Sequence, residues 1–256
     1  MSISEVKNMF LKNANNPQSA SAVAVSTLLP QAAKIKLENL GVTVLDGYKP
    51  PNPVSSVSFH IDTNFVHIKD NVFVVSKASY EYYKKLFEKT DAKIICGESG
   101  GIGEYPLDAA YNVAIVGKFA VLNEKYADKI LLEVLYKNGF EIINTKQGYA
   151  KCSVCVVDEN SLITDDTSIY KSCSQKGLDV LLTEKGDVNL VGFDYGFIGG
   201  CSGKISKDTL VFCGNVDLHR NAKEIKEFCR LKGVNVLSLG DFPLCDVGGI
   251  VPVFEK

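Results

Sequence analysis

Between Gly203 and Gly240, apolar and polar positions follow an order that the rest of the chain repeats. Residues 204–206 and 209–213 are short apolar-rich runs divided by Lys207-Asp208, which predicts a hairpin. Asn215 or Asp217 can cap a helix whose stripe is Leu218, Ala222, Ile225 and Cys229, with Lys223, Glu224, Lys226, Glu227 and Arg230 on the other face. Gly233 sits where a left-handed residue closes a helix, and Val234, Val236 and Leu237 predict a strand after it. One such unit cannot bury both its sheet face and its helix stripe, so it needs copies beside it.

Four variants precede it. Ser26 and Pro30 predict a helix start, Gly41 its end, and 42–45 a strand. Extended runs at 65–68 and 72–75 are followed by a helix over 79–89 and a strand at 92–96. Runs at 111–116 and 119–123 lead to a helix capped by Asn123, then a strand at 140–143. Runs at 152–157 and 161–164 lead to a helix over 167–176 and a strand at 178–182. Pro-rich 48–53 and Gly-rich 97–110 read as connections. Residues 1–20 are partly helical in pattern, at Glu5, Val6, Met9 and Phe10. The left-over C-terminal strand, 247–254, can complete a unit with the N-terminal helix and strand. The organisation expected is an N-terminal cap or arm, 1–21, and a single domain, 22–256, closed as a five-bladed α/β-propeller. A doubly wound sheet is disfavoured, because a hairpin strand precedes most helices.

Composition narrows the function classes. Of 256 residues, 46% are apolar and 23% charged, an ordinary globular balance, and the net charge of -2 gives no field for nucleic acid or an anionic membrane. Lys and Arg form no stripe with interleaved aromatics, so no nucleic-acid platform is expected. No apolar run is long enough to cross a bilayer, and MSISEVKNMFLKNANNP has no signal-peptide core, so a cytoplasmic location is expected. In that compartment the eight cysteines are mostly free thiols. GGIG at 100–103 lacks both the helix and the Lys-Ser/Thr of a phosphate loop.

The unit order, LKGVNVLSLG followed by GGIVPV, and DTNFVHIKDNVFVV at 62–75 resemble the pentein superfamily of guanidine-modifying enzymes. These include dimethylarginine dimethylaminohydrolase, the arginine and agmatine deiminases and the amidinotransferases; translation initiation factor 6 shares the fold without the chemistry. The resemblance implies a five-bladed α/β-propeller in which a Cys attacks the guanidinium carbon, a His transfers protons and carboxylates grip the nitrogens. Carried over position by position, Pro252 stands where the Cys belongs and Tyr149 where the His belongs. Asp62 and Asp70 match acidic positions, and His67 replaces a Glu.

Ligands are therefore expected where the connections converge, at 62–64, 98–103, 149–151, 194–203 and 244–249. Cys245 and Cys201 are the candidate displaced nucleophiles, against the bland reading of buried inert thiols. Asp62, Asn64, His67, Tyr149, Asp194 and Asp246 are the candidate ligand-binding residues, with His60 a further polar partner. Cys152-x-x-Cys155 is set aside, because residues three apart on a strand face opposite ways. His60, His67 and His219 give no zinc-ligand spacing, so no metal or cofactor is expected; His219 reads as solvent-facing. The reading favoured is a pentein-like protein that binds a small polar or cationic molecule without the usual catalysis. Its alternatives are a cysteine-dependent hydrolase of a guanidine or amide-like substrate and a non-catalytic interaction protein similar to translation initiation factor 6. Whether it is an enzyme is left open.

Overall fold

A computed structural model describes residues 9–256. After β1 (Met9–Phe10) the elements run β2 (Ala20–Val25), α1 (Gln31–Asn39) and β3 (Thr43–Asp46), then β4 (Phe65–Lys69), β5 (Val72–Val75), α2 (Tyr80–Leu86) and β6 (Lys93–Cys96). Next come β7 (Ala114–Val116), β8 (Phe119–Leu122), α3 (Lys129–Lys137) and β9 (Glu141–Asn144), followed by β10 (Val154–Val156), β11 (Ser161–Thr164), α4 (Thr167–Gln175) and β12 (Asp179–Leu182). The chain ends with β13 (Val188–Asn189), β14 (Ser202–Ser206), β15 (Thr209–Phe212), α5 (Ala222–Leu231), β16 (Asn235–Ser238), β17 (Leu244–Cys245) and β18 (Ile250–Glu255).

In each of four units a hairpin is followed by a helix and then by a strand parallel to the second hairpin strand, giving the orders β4-β5-β6, β7-β8-β9, β10-β11-β12 and β14-β15-β16. A further sheet, β1-β18-β2-β3, draws on both ends of the chain, and β13 pairs with β17. The repeating order expected from the sequence is thus present, but the five-bladed α/β-propeller is corrected. The sheets remain separate, small and open, and none closes on itself or curls. The architecture is an α/β fold of several open sheets with five helices among the described residues. Hydrophobic patterning reports which face of a strand is buried, not whether neighbouring sheets join, so it carried no information on closure.

Local corrections have simple causes. Met9 and Phe10 form a strand against Glu255 and Phe254 instead of a helix; Glu5 and Val6 lie outside the described residues. Leu218 is exposed, because Asn215 caps a separate 3-10 turn over Val216–Leu218 that turns Val216 inward ahead of α5. Ile225 and Cys229 keep the expected buried face. His219, expected in solvent, is buried and accepts a hydrogen bond from Asn221 N at Nδ1.

The cap of α3 is Asp128, not Asn123. One carboxylate oxygen accepts from Ile130 N and Leu131 N, and the other accepts from Glu98 N, Ser99 N and the Tyr111 hydroxyl. Leu131, Val134 and Leu135 are then held against the core. Asp128→Ala strands the helix N–H groups and the 98–99 loop together, so a loss of about 2 kcal/mol, the upper end for a single cap, is expected in urea unfolding.

Candidate active site

The site is built by three connections. Two 3-10 turns, Ser56–Phe59 and Ile61–Thr63, carry His60 and Asp62. The His60 carbonyl is fixed by Thr63 Oγ1 at 2.8 Å and Asn64 Nδ2 at 2.7 Å. A turn before β10 carries Cys152: Ser153 N donates to Tyr149 O, and Asn112 Oδ1 accepts from Lys151 N and Cys152 N. The connection after β17 carries Asp246, whose carboxylate accepts from Gly248 N and Phe197 N, each at 3.0 Å.

Two glycines allow these connections to meet. At Gly200 a Cβ would fall inside the Asp246 carboxylate. At Gly248, where φ is +76°, it would strike His60.

The result is a cavity of about 250 Å³. Val57, Leu190, Tyr149, Phe193, Tyr195 and Phe197 form apolar and aromatic walls, and His60, Cys152 and Asp246 supply the chemistry. Their ligand atoms lie within 4.8 Å of one another, all buried, so the three could also hold a metal ion. The Cys152 thiol donates to Asp62 Oδ2 at 2.8 Å, and Asn112 Nδ2 donates to its sulfur at 3.4 Å. His60 Nδ1 stands 3.6 Å from Asp246 Oδ1 and has no hydrogen-bond partner, and Asp62 Oδ1 also has none.

Burial sets the electrostatics. It pushes the Asp62 carboxyl up to about 6, with His60 and Lys151 pulling the other way. It holds the Cys152 thiol well above the ordinary range, reinforced by the negative charges of Asp62 and Asp246. A thiol in this state is a poor nucleophile until positive charge enters the site.

Asp165, at the end of β11, is pushed up to about 7 by burial; Asp166 and Asp246 add to the rise and Lys185 opposes it. A carboxyl raised on folding holds its proton where the unfolded chain has lost it. Its contribution is therefore fullest below about pH 4 and is lost as pH climbs to about 7, a change on the order of a few kcal/mol. Asp165→Asn should melt higher than the parent at pH 8 and match it near pH 4; equal gains at both values would contradict this.

Of the residues singled out in the sequence, Tyr149, Asp194 and Asp246 line the cavity, and Asp62 lies behind Cys152. The Tyr149 hydroxyl donates to Asp108. Asn64 is committed to the fold, taking the Tyr83 hydroxyl at 2.9 Å. His67 stacks on Phe73, and burial lowers its pKa to about 4. It lines a separate small space with Asp62 and Lys151. Neither candidate nucleophile reaches the main cavity. Cys201 is fully buried with its thiol on Ile198 O, and half-buried Cys245 belongs to β17.

Cys152, which lines the cavity beside His60 and Asp246, was not among the residues expected there. The strand starts at Val154, so the facing argument used against Cys152-x-x-Cys155 does not apply to a residue in the preceding turn. The signal was available, since the convergent segment 149–151 stopped one position short.

A family model matches residues 24–251. The chain belongs to DUF6873, a family of unknown function. No curated protein matches it. Among solved structures, the DUF6873 chain is similar to the inosamine-phosphate amidinotransferase StrB1 from Streptomyces griseus. The TM-score is 0.59 at 11% identity, over 95% of this chain and 96% of that one. It is also similar to an agmatine deiminase from C. jejuni, with a TM-score of 0.53 at 11% identity over 89% and 90%. A dimethylarginine dimethylaminohydrolase adduct with 4-chloro-2-hydroxymethylpyridine gives 0.52 at 9% identity over 86% and 92%. At such identities the likeness is one of fold. The chain thus shares its fold with these amidinotransferase, deiminase and dimethylaminohydrolase structures, and its cluster of Cys, His and Asp means that the absence of Cys at 252 and of His at 149 does not leave it without such groups. Among the described residues no helix is long and apolar enough to cross a membrane.

Proposed function

We propose that this protein is a cysteine-dependent hydrolase of a guanidinium or amide-like substrate, with Cys152 as the displaced nucleophile. The observation that carries the reading is the Cys152 thiol at the cavity, hydrogen-bonded to Asp62 and grouped with His60 and Asp246. Fold likeness to guanidine-modifying enzymes supports the substrate class.

The chemistry follows from charge. A planar cation offers N–H donors to Asp246, and its face can rest on Tyr149 or Phe197. Its positive charge offsets the repulsion that keeps the thiol protonated. The thiol proton passes to Asp62 Oδ2, and Sγ bonds to the central carbon. The carbon–nitrogen bond then breaks as that nitrogen takes a proton from Asp62 or His60. Water attacks the thiol-bound carbon, the S–C bond breaks and the thiol regains a proton. The net change replaces a C–N bond by a C–O bond, using one water.

The test is incubation with a panel of guanidines and amides, read by mass spectrometry of products and of the intact protein. Product formation with a transient adduct mapping to Cys152 is expected. Tight binding of a guanidine with neither product nor adduct would replace the hydrolase by the ligand-binding reading.

A further inference from the structure

We propose that His60, Cys152 and Asp246 form a binding site for a zinc-class divalent cation, with the cavity facing its open coordination position. The ion shares the thiol that the hydrolase reading uses, but the proposal stands on donor geometry and does not require hydrolysis. Tetrahedral zinc with N, O and S ligands needs donors roughly 3.3–3.8 Å apart. His60 Nδ1 and Asp246 Oδ1 stand 3.6 Å apart, and the whole set falls within 4.8 Å. Contraction by about an ångström completes the geometry.

Two further observations point to a ligand here. His60 is 1% exposed, yet its Nδ1 has no hydrogen-bond partner, only the Asp246 carboxylate at 3.6 Å. The Asp246 carboxylate is already oriented by Gly248 N and Phe197 N, as outer hydrogen bonds orient metal ligands. The three donor types, imidazole, thiolate and carboxylate, suit zinc and not magnesium or calcium.

Binding must release the thiol proton, and Asp62 Oδ2, 2.8 Å from the sulfur, is placed to accept it. The step balances: Cys–SH and the Asp62 carboxylate become a metal-bound thiolate and a neutral Asp62. A bound ion draws charge from the sulfur, which weakens it as a nucleophile, and engages the Asp246 carboxylate that would grip a cationic substrate. Zinc and substrate are therefore alternative occupants, and zinc acts as a reversible block.

The experiment is titration of chelator-treated protein with cobalt(II), then zinc(II), followed by absorbance. A thiolate-to-cobalt band in the near ultraviolet, saturating at about one equivalent and bleached by zinc, is expected. Cys201→Ser and Cys245→Ser should keep it. Cys152→Ser should lose it, and Asp246→Asn or His60→Ala should weaken cobalt binding at least about tenfold. No band in the folded parent, or a band that survives Cys152→Ser, would overturn the site. Hydrolysis with no cobalt band removes the ion and leaves the hydrolase; a band with no hydrolysis does the reverse.

Discussion

Cys152→Ser is expected to lower turnover of any substrate found by on the order of a thousandfold or more, with the fold and ligand binding retained. Serine keeps the volume and the hydrogen bond to Asp62, but its hydroxyl is a far weaker nucleophile. A pair of alkylating reagents gives the same residue a second test. Iodoacetamide is neutral and brings nothing to offset Asp62 and Asp246, so Cys152 should react slowly near neutral pH, behind the more accessible Cys96 and Cys245. A chloroacetamidine carries a planar positive charge and should invert that order. If both reagents modify Cys245 first and Cys152 last, the thiol is a buried structural group and the hydrolase reading fails.

Gly248→Ala should damage the site severely, costing about 2–5 kcal/mol. Two terms combine. The residue sits at φ +76°, where a Cβ costs about 1–2 kcal/mol, and the added carbon meets the Cα and Cβ of His60, an overpacking cost of about 1–3 kcal/mol. His60 cannot retreat easily, because its carbonyl is tied to Thr63 and Asn64. Whatever fraction folds should have His60 and Asp246 out of register, so cavity binding should fall more than stability alone explains. A melting shift of less than a degree with unchanged ligand affinity would refute the steric account.

The repeating unit was legible because each of its parts has a local cause. The run 209–213 is a short, apolar-rich stretch bounded by turn residues, Ile225 and Cys229 share a helical face, and Gly233 ends the helix with φ +70°. What failed depended on geometry between units. Closure of the sheets has no signature in local periodicity, so the propeller was an inference from the count of units. The site was half legible for the same reason. Asp62, Tyr149 and Asp246 were reachable because convergent connections could be named. Cys152 was lost to an error of two residues in where a strand begins, which changed a turn residue aimed at the cavity into a strand residue aimed nowhere useful. His60 and Cys152, 92 positions apart, have no sequence spacing to find.

The pairing of β18 with β2 has a consequence for synthesis. Strand β2 is finished when residue 25 leaves the ribosome, but its antiparallel neighbour begins at residue 250. Asp246 and Gly248 lie on the short connection that this late strand anchors. A nascent chain can therefore assemble its middle units early while its thiol lacks the carboxylate and the His60 contact that define the site. Chains released before about residue 246 would carry Cys152 and His60 but no Asp246, so the three-residue cluster cannot assemble until the 246–255 segment has emerged.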